Sequence, residues 1–267
     1  MPEKTDGAVL YDVTSHVATI TFNRPDAMNS LTAETRAHLK DALHAAASDS
    51  DVRAVVLTGT GKAFCVGQDL KEHAASLQEK SVDEVWSVVA ADYAPMATAI
   101  ATMPKPVIAA VNGVAAGAGA SLAFAADFRV LADAASYNLA FANIALSCDT
   151  GASWTLPRLV GHAKATELLL MPRTVRADEA LTIGLATEIV SAQDLDSHVR
   201  DIALKLASGP TLAYASIRRA LAYSATHSFA EALEYEGQKM ALTGASSDHR
   251  AAVEAFLQKE TPNFDGR

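Results

Sequence analysis

Chemistry in this chain concentrates at two turns built from residues with little or no side chain. One is GKAFCVGQDLKE, residues 61–72; the other is AAVNGVAAGAGASLAFAAD, residues 109–127, whose first charge is Asp127. Small residues let another atom approach the backbone closely. Each turn follows a buried-looking apolar run and opens into a helix, whose first N–H groups have no internal partner. Such donors can receive a phosphate or a developing negative oxygen. The phosphate reading is the weaker one. Gly117-Ala118-Gly119 lacks the Lys-Ser/Thr end of a P-loop, and Leu122 or Ala120 stands where a dinucleotide fingerprint needs its third glycine. Two N–H groups converging from two strand ends suit an oxyanion hole, which stabilises an enolate oxygen.

These residues need a scaffold. Residues 9–13 and 17–22 alternate around Thr14-Ser15-His16 and predict a β-hairpin. Asn29-Ser30 and Thr32 can cap a helix over 33–47. RAVVLT (53–58), PVIAAV (106–111) and DFRVL (127–131) read as buried parallel strands, with helices over 82–102 and 117–126 between them. Strands alternating with helices imply βαβ units and a mostly parallel sheet, with both turns at its C-terminal edge. After residue 160 helices take over at 162–171, 177–184, 193–207, 211–224, 229–242 and 246–259, with one short strand at 187–190. The expected division is a core over 1–200 and a C-terminal helical region over 201–267.

Composition narrows the partners. A chain of 267 residues can bury a sizeable core, and a formal net charge of −9 argues against nucleic acid and against anionic membrane. An anionic small ligand would need local basic residues. The two cysteines, Cys65 and Cys148, match no metal spacing, and neither do the eight histidines; two thiols in a reducing compartment are expected. The polar N-terminal segment has no apolar core of a secretory leader, and no apolar run is long enough to span a membrane. The expected location is the cytoplasm.

Residues 9–264 resemble the crotonase, or enoyl-CoA hydratase/isomerase, superfamily. The resemblance runs in family order through TFNRPDAMNSL, GKAFCVGQDLKE, KPVIAAVNGVAAGAGASLAFAADFRVLAD, SWTLPRLVG, ADEALTIGLATEIV and AAVEAFLQKETPNF. It implies an α/β crotonase-like fold, with repeated ββα units forming a mostly parallel sheet core and a C-terminal helical trimerisation region. It also implies an acyl-CoA substrate, no cofactor or metal, and a homotrimer or a hexamer formed as a dimer of trimers. Carried over position by position, the oxyanion hole would be the backbone N–H groups of Gln68 and Ala118. Gln68, Asp69, Leu70 and Lys71 would line the acyl-CoA channel, with Ala63 and Val66 near the adenine. Phe256 and Lys259 resemble the pair that touches CoA from the C-terminal end, here from a neighbouring subunit if the assembly forms.

Where the sequence departs from the family, the chemistry changes. Hydratases of the family carry glutamates at the places held here by Ser121 and Phe141. A serine with no adjacent base is a poor acid/base near neutral pH, and phenylalanine is none. Isomerase branches instead carry an acidic residue at the place of Asp149. One carboxylate suffices to move a double bond, because the same base removes a proton and returns it elsewhere. Adding water needs a second polar group. Phe141, Leu146 and Trp154 are expected to surround Asp149 and raise its pKa. The plainer readings make Asp149 the N-cap of a helix starting near Thr150, Ser121 a small helix residue, and Asp69 the cap of its own helix. Double-bond isomerisation therefore leads. Hydration follows, then nucleophilic attack by Asp149 on an aromatic acyl group as in the 4-chlorobenzoyl-CoA dehalogenases, which have Trp at the place of Phe141. A non-catalytic acyl-CoA-binding protein is the rival from another class.

Overall fold

In the computed structural model, residues 7–267 are described; residues 1–6, part of the N-terminal segment discussed above, lie outside them. Strands Val9–Thr14 (β1) and Val17–Phe22 (β2) form the expected hairpin. Its turn sets Ser15 and His16 at φ 51° and 65°, the left-handed pair that matches strand twist. Helix α1 (Ala33–Ser48) starts where Thr32 accepts a hydrogen bond from the Thr35 N–H at 3.2 Å.

From here the chain repeats one move: a long strand, a short strand displaced into a second sheet, then a helix. Ala54–Gly59 (β3) is followed by Ala63–Cys65 (β4) and α2 (Leu70–Glu79). After α3 (Val82–Val88) and α4 (Ala94–Thr102), Val107–Val111 (β5) is followed by Val114–Ala116 (β6) and α5 (Ala118–Phe124). Phe128–Ala132 (β7) is followed by Ser136–Asn138 (β8), α6 (Ala152–Val160) and α7 (His162–Leu170). Thr174–Arg176 (β9), α8 (Ala177–Ile183) and Glu188–Val190 (β10) close the sheets. Helices α9 (Leu195–Ala207), α10 (Thr211–Ser224), α11 (Phe229–Gly244) and α12 (Ser247–Gln258) complete the chain.

The large sheet has the order β1-β2-β3-β5-β7-β10, parallel except for the β1/β2 hairpin, and the small sheet has the order β4-β6-β8-β9. Ile20, Leu57 and Ile108 of the large sheet and Leu39, Leu43, Met96 and Ile100 of the helices are fully buried and form one core. Phe64 carries that core into the small sheet, with its ring edge-on to Phe22 at 5.3 Å. Arg218 on α10 ties the C-terminal helices to the core. It donates to Asp127 Oδ1 at 2.7 Å, while Asp127 Oδ2 accepts from the Val107 N–H at 2.7 Å.

The structure corrects two readings. The helix expected over 82–102 is interrupted by a π turn, Val89–Tyr93, just ahead of Pro95. Pro95 cannot supply an N–H to the helix ladder, and the turn absorbs the defect. The strands that carry the two small-residue turns are also not RAVVLT and PVIAAV themselves but the short β4 and β6 that follow them. Among the described residues, no helix is long and apolar enough to cross a membrane.

Candidate active site

Strands β4, β6 and β8 are adjacent and parallel, so the three chain exits after them meet at one edge of the small sheet. The first two exits are in contact. A Cβ placed on Gly67 would fall 3.0 Å from the Ala116 carbonyl oxygen and 3.2 Å from the Ala118 nitrogen. Gly119 lies still closer to its neighbour, since a Cβ there would sit 2.1 Å from the Cys65 carbonyl oxygen. The small residues thus let α5 and the turn after β4 pack backbone against backbone.

That packing leaves two donors free. Leu31 pairs with the second turn residue by donating to Gly67 O at 2.8 Å and accepting from Asp69 N at 3.2 Å. In extended backbone successive N–H groups alternate, so the Gln68 N–H points away from Leu31. Gly117 takes φ 50°, ψ −125°, and Ala118 begins α5 with no residue at a helical distance behind it to accept its proton. Neither the Gln68 nor the Ala118 N–H donates to another group among the described residues. Ala118 itself does not have a positive φ, so a side chain is tolerated there.

The two N–H groups open onto a cavity of about 890 Å³. Its walls include Met28, Trp86, Val89, Tyr93, Phe141, Leu146 and Asp149, with Arg24, Leu70 and Lys71 also lining it. Asp149 is held by its own surroundings. Thr150 Oγ1 donates to Asp149 Oδ1 at 2.8 Å. Burial raises the Asp149 carboxyl above its ordinary value, opposed by the Thr150 hydroxyl and by its own backbone N–H. Thr150 has φ 53°, an unfavourable conformation for a β-branched residue and one that costs about 1–3 kcal/mol. The arrangement is a desolvated carboxylate in the same apolar cavity as two unpaired N–H donors. It can move a proton at a carbon whose neighbouring carbonyl oxygen the donors hold.

Asp149 is not a helix cap: Gly151, at φ 80°, is the N-cap of α6, and no side chain caps that end. Trp154, expected beside Asp149, lies outside the cavity lining. It is 43% exposed, with the Arg158 guanidinium 3.8 Å from its ring centroid. Asp69 does cap α2, accepting from the Lys71 and Glu72 N–H groups at 3.1 and 3.2 Å, and it also receives Ser30 and Arg24. Ser121 is fully buried and donates to the Gly117 carbonyl at 3.1 Å.

Of the expected site residues, Val66, Gln68, Asp69, Leu70, Lys71, Ala118, Phe141 and Asp149 come together around this one cavity. Ala63 is fully buried in β4 and outside the lining. Phe256 and Lys259, at the end of α12, are also outside the lining, and Phe256 is 81% exposed. Cys65 is fully buried, its thiol pushed up to about 12 by burial, whereas Cys148 lines the cavity. Sequence reasoning missed Trp86, Val89 and Tyr93, which reach the cavity from α3 and the π turn. Pro95 inside a helical pattern is the only sequence signal that the register changes there.

The family model described as enoyl-CoA hydratase/isomerase matches residues 12–267. A protein of Rhodobacter capsulatus named as an enoyl-CoA hydratase is 41% identical, over 97% of this chain and 98% of its own. The 1,2-epoxyphenylacetyl-CoA isomerase of Escherichia coli is 37% identical over the same shares. A solved structure of the enoyl-CoA hydratase/isomerase type from Mycobacterium abscessus superposes with a TM-score of 0.94 at 40% identity, covering 97% of this chain and all of its own.

Proposed function

Because the chain belongs to the enoyl-CoA hydratase/isomerase family of the crotonase superfamily, we propose that it shifts the double bond of an enoyl-CoA thioester from the 3 to the 2 position. The thioester oxygen accepts from the Gln68 and Ala118 N–H groups. The Asp149 carboxylate takes a proton from C2, and the C–H electron pair moves into a C1–C2 double bond as charge shifts to the oxygen. The resulting dienolate is held by the two donors. Collapse restores the carbonyl, forms the C2–C3 double bond and takes the same proton back from Asp149 at C4.

One observation carries this reading: a half-buried carboxylate held only by Thr150 shares the cavity with both donors. Asp69 also lines the cavity, but Ser30, Arg24 and two backbone N–H groups occupy it; Asp26, also in the lining, is exposed. Hydration of a 2-enoyl-CoA is the second reading, supported by the name of the R. capsulatus relative. A side-by-side assay of trans-3-enoyl-CoA and trans-2-enoyl-CoA separates them. Conjugated product from the first substrate supports isomerisation. A 3-hydroxyacyl product from the second, formed faster, overturns it.

The assembly is part of the same proposal. Phe229, Met240, Phe256 and Leu257 expose large apolar side chains on α11 and α12. Burying them between three copies would give a homotrimer, or a hexamer as two trimers, and would let Phe256 and Lys259 of one copy approach a CoA bound by another. Light scattering on the purified chain tests this: a monomer at micromolar concentration contradicts it. The expected setting is the cytoplasm.

A further inference from the structure

A second cavity, of about 430 Å³, adjoins the first, and Gln68 lines both. Residues from α3 into the π turn divide between the two. Trp86, Val89 and Tyr93 line the first, whereas Val85, Val88 and Asp92 line the second. Their chemistry differs. The first is walled mainly by apolar side chains, but Arg36, Glu72, Lys80, Glu84 and Asp92 bring charge into the second. A cavity of that size with charged walls takes up water.

The wall between them is thin. Gln68 Nε2 donates to His73 Nδ1 at 3.1 Å, and the His73 ring centroid lies 5.3 Å from that of Trp86, with the planes tilted by 57°. Rings at that separation are in contact. His73 lines only the second cavity and Trp86 only the first, so here the wall is one pair of rings. The Gln68 carboxamide continues it to the residue whose backbone N–H serves the thioester oxygen. Both supports of the wall are tied to α1. Arg36 Nε donates to Asp92 Oδ2 at 2.8 Å, which holds the π turn, and Glu72 accepts from the Ala33 N–H at 2.9 Å, which holds α2. Bound acyl-CoA fills the mouth by which it enters, whereas this inner wall has to be closed by the protein itself.

We propose that Gln68, His73 and Trp86 form a water seal, and that His73 is the residue that keeps the site to double-bond transfer rather than water addition. The proposal rests on the isomerase reading above. Between its release from C2 and its return to C4, the moving hydrogen resides on Asp149 as a carboxylic acid. Water that reaches this acid exchanges with it, taking the substrate's hydrogen and leaving one of its own. Water that reaches the acyl group also adds across the C2–C3 double bond of the product, its oxygen going to C3 and a proton to C2. Excluding water suppresses both leaks. His73 is outside the lining of the first cavity, so it acts through Trp86 and Gln68 as a positioning residue.

The test gives the full chain trans-3-enoyl-CoA with both C2 hydrogens replaced by deuterium, and counts the deuterium in the product by mass spectrometry. The parent keeps both deuterons, one at C2 and one at C4. In His73→Ala the product keeps little more than one, and 3-hydroxyacyl-CoA appears beside it. His73→Phe restores a ring without the hydrogen bond and recovers most of the second deuteron. Because α2 buries no residue, these changes spare the core, and His73→Ser opens the same gap if His73→Ala folds poorly. Equal deuterium in the parent, His73→Ala and His73→Ser overturns the seal, as does a parent that loses the second deuteron unaided. A parent that does not convert 3-enoyl-CoA overturns the isomerase reading instead, and the seal is then read by fluorescence. With Trp154→Phe leaving Trp86 as the one tryptophan, and a saturated acyl-CoA bound, acrylamide quenching rises several-fold in His73→Ala. Unchanged quenching overturns the seal.

Discussion

Gly67 and Ala118 meet backbone to backbone, with the place of a Gly67 Cβ only 3.2 Å from the Ala118 nitrogen. This contact sets the spacing of the two N–H donors, because Gly67 precedes the donor Gln68. Gly67→Ala should push the turns apart and impose a side chain at φ 83°. The expected stability loss is about 1–3 kcal/mol. The expected loss of kcat is larger in its effect, roughly 10²–10³-fold, with acyl-CoA affinity much less changed. Equal losses in kcat and affinity would mean that the turn only shapes the pocket.

The raised pKa of Asp149 has a sign that can be tested. A carboxyl whose folded pKa lies above its unfolded value stabilises the fold fully below the unfolded pKa, and that stability is lost as pH rises through the folded pKa. Asp149→Asn should therefore unfold at a higher temperature than the parent at neutral pH, with the difference vanishing in acid below the ordinary value of 3.8. Thermal scans across that range check it. A variant less stable at neutral pH would show that Asp149 serves the fold rather than the reaction.

Asp69 behaves in the opposite sense. Burial alone would raise its carboxyl, but donors from Ser30, the Glu72 and Lys71 backbone and Arg24 outweigh it and hold it below its ordinary value. Its stabilising contribution is present above the unfolded pKa and is lost as pH falls through the folded one. Asp69→Ala should remove the α2 cap, at a cost of about 1 kcal/mol. Hydrogen exchange should accelerate first over residues 70–79, and unchanged protection there would rule out the capping role.

The Ser121 hydroxyl is occupied by the Gly117 carbonyl. That carbonyl also accepts from the Ser121 N–H at 3.1 Å, so Ser121→Ala leaves it satisfied. The variant should keep full kcat and lose no more than about 1 kcal/mol of stability. A large fall in kcat would give the serine a chemical role that its geometry does not suggest.

Some of this was legible in the chain before its structure. The hairpin, α1 with its Thr32 cap and the long strands announced themselves by alternation, capping residues and β-branched runs. Gln68, Ala118, Phe141 and Asp149 do share one cavity. The strands β4, β6 and β8, which bring them there, were not legible: three residues cannot display a period, and their pairing is between distant segments. Trp154 was misplaced for a related reason. Thr150 and Gly151 stay outside the helix at positive φ, so α6 starts about two residues late, which turns a side chain through roughly 200°. Tyr93 was hidden by the π turn, which shifts the register inside a pattern that otherwise reads as continuous helix.

The central claim is that Asp149 alone moves the proton. The direct measurement is kcat/KM for trans-3-enoyl-CoA isomerisation by the parent and by Asp149→Asn, at neutral pH, with binding of a saturated acyl-CoA followed in parallel. The expected result is a loss of roughly 10²–10⁴-fold in turnover with binding retained. Turnover within about tenfold of the parent would contradict the assignment of the base, since so small a loss is only about 1.4 kcal/mol of the barrier.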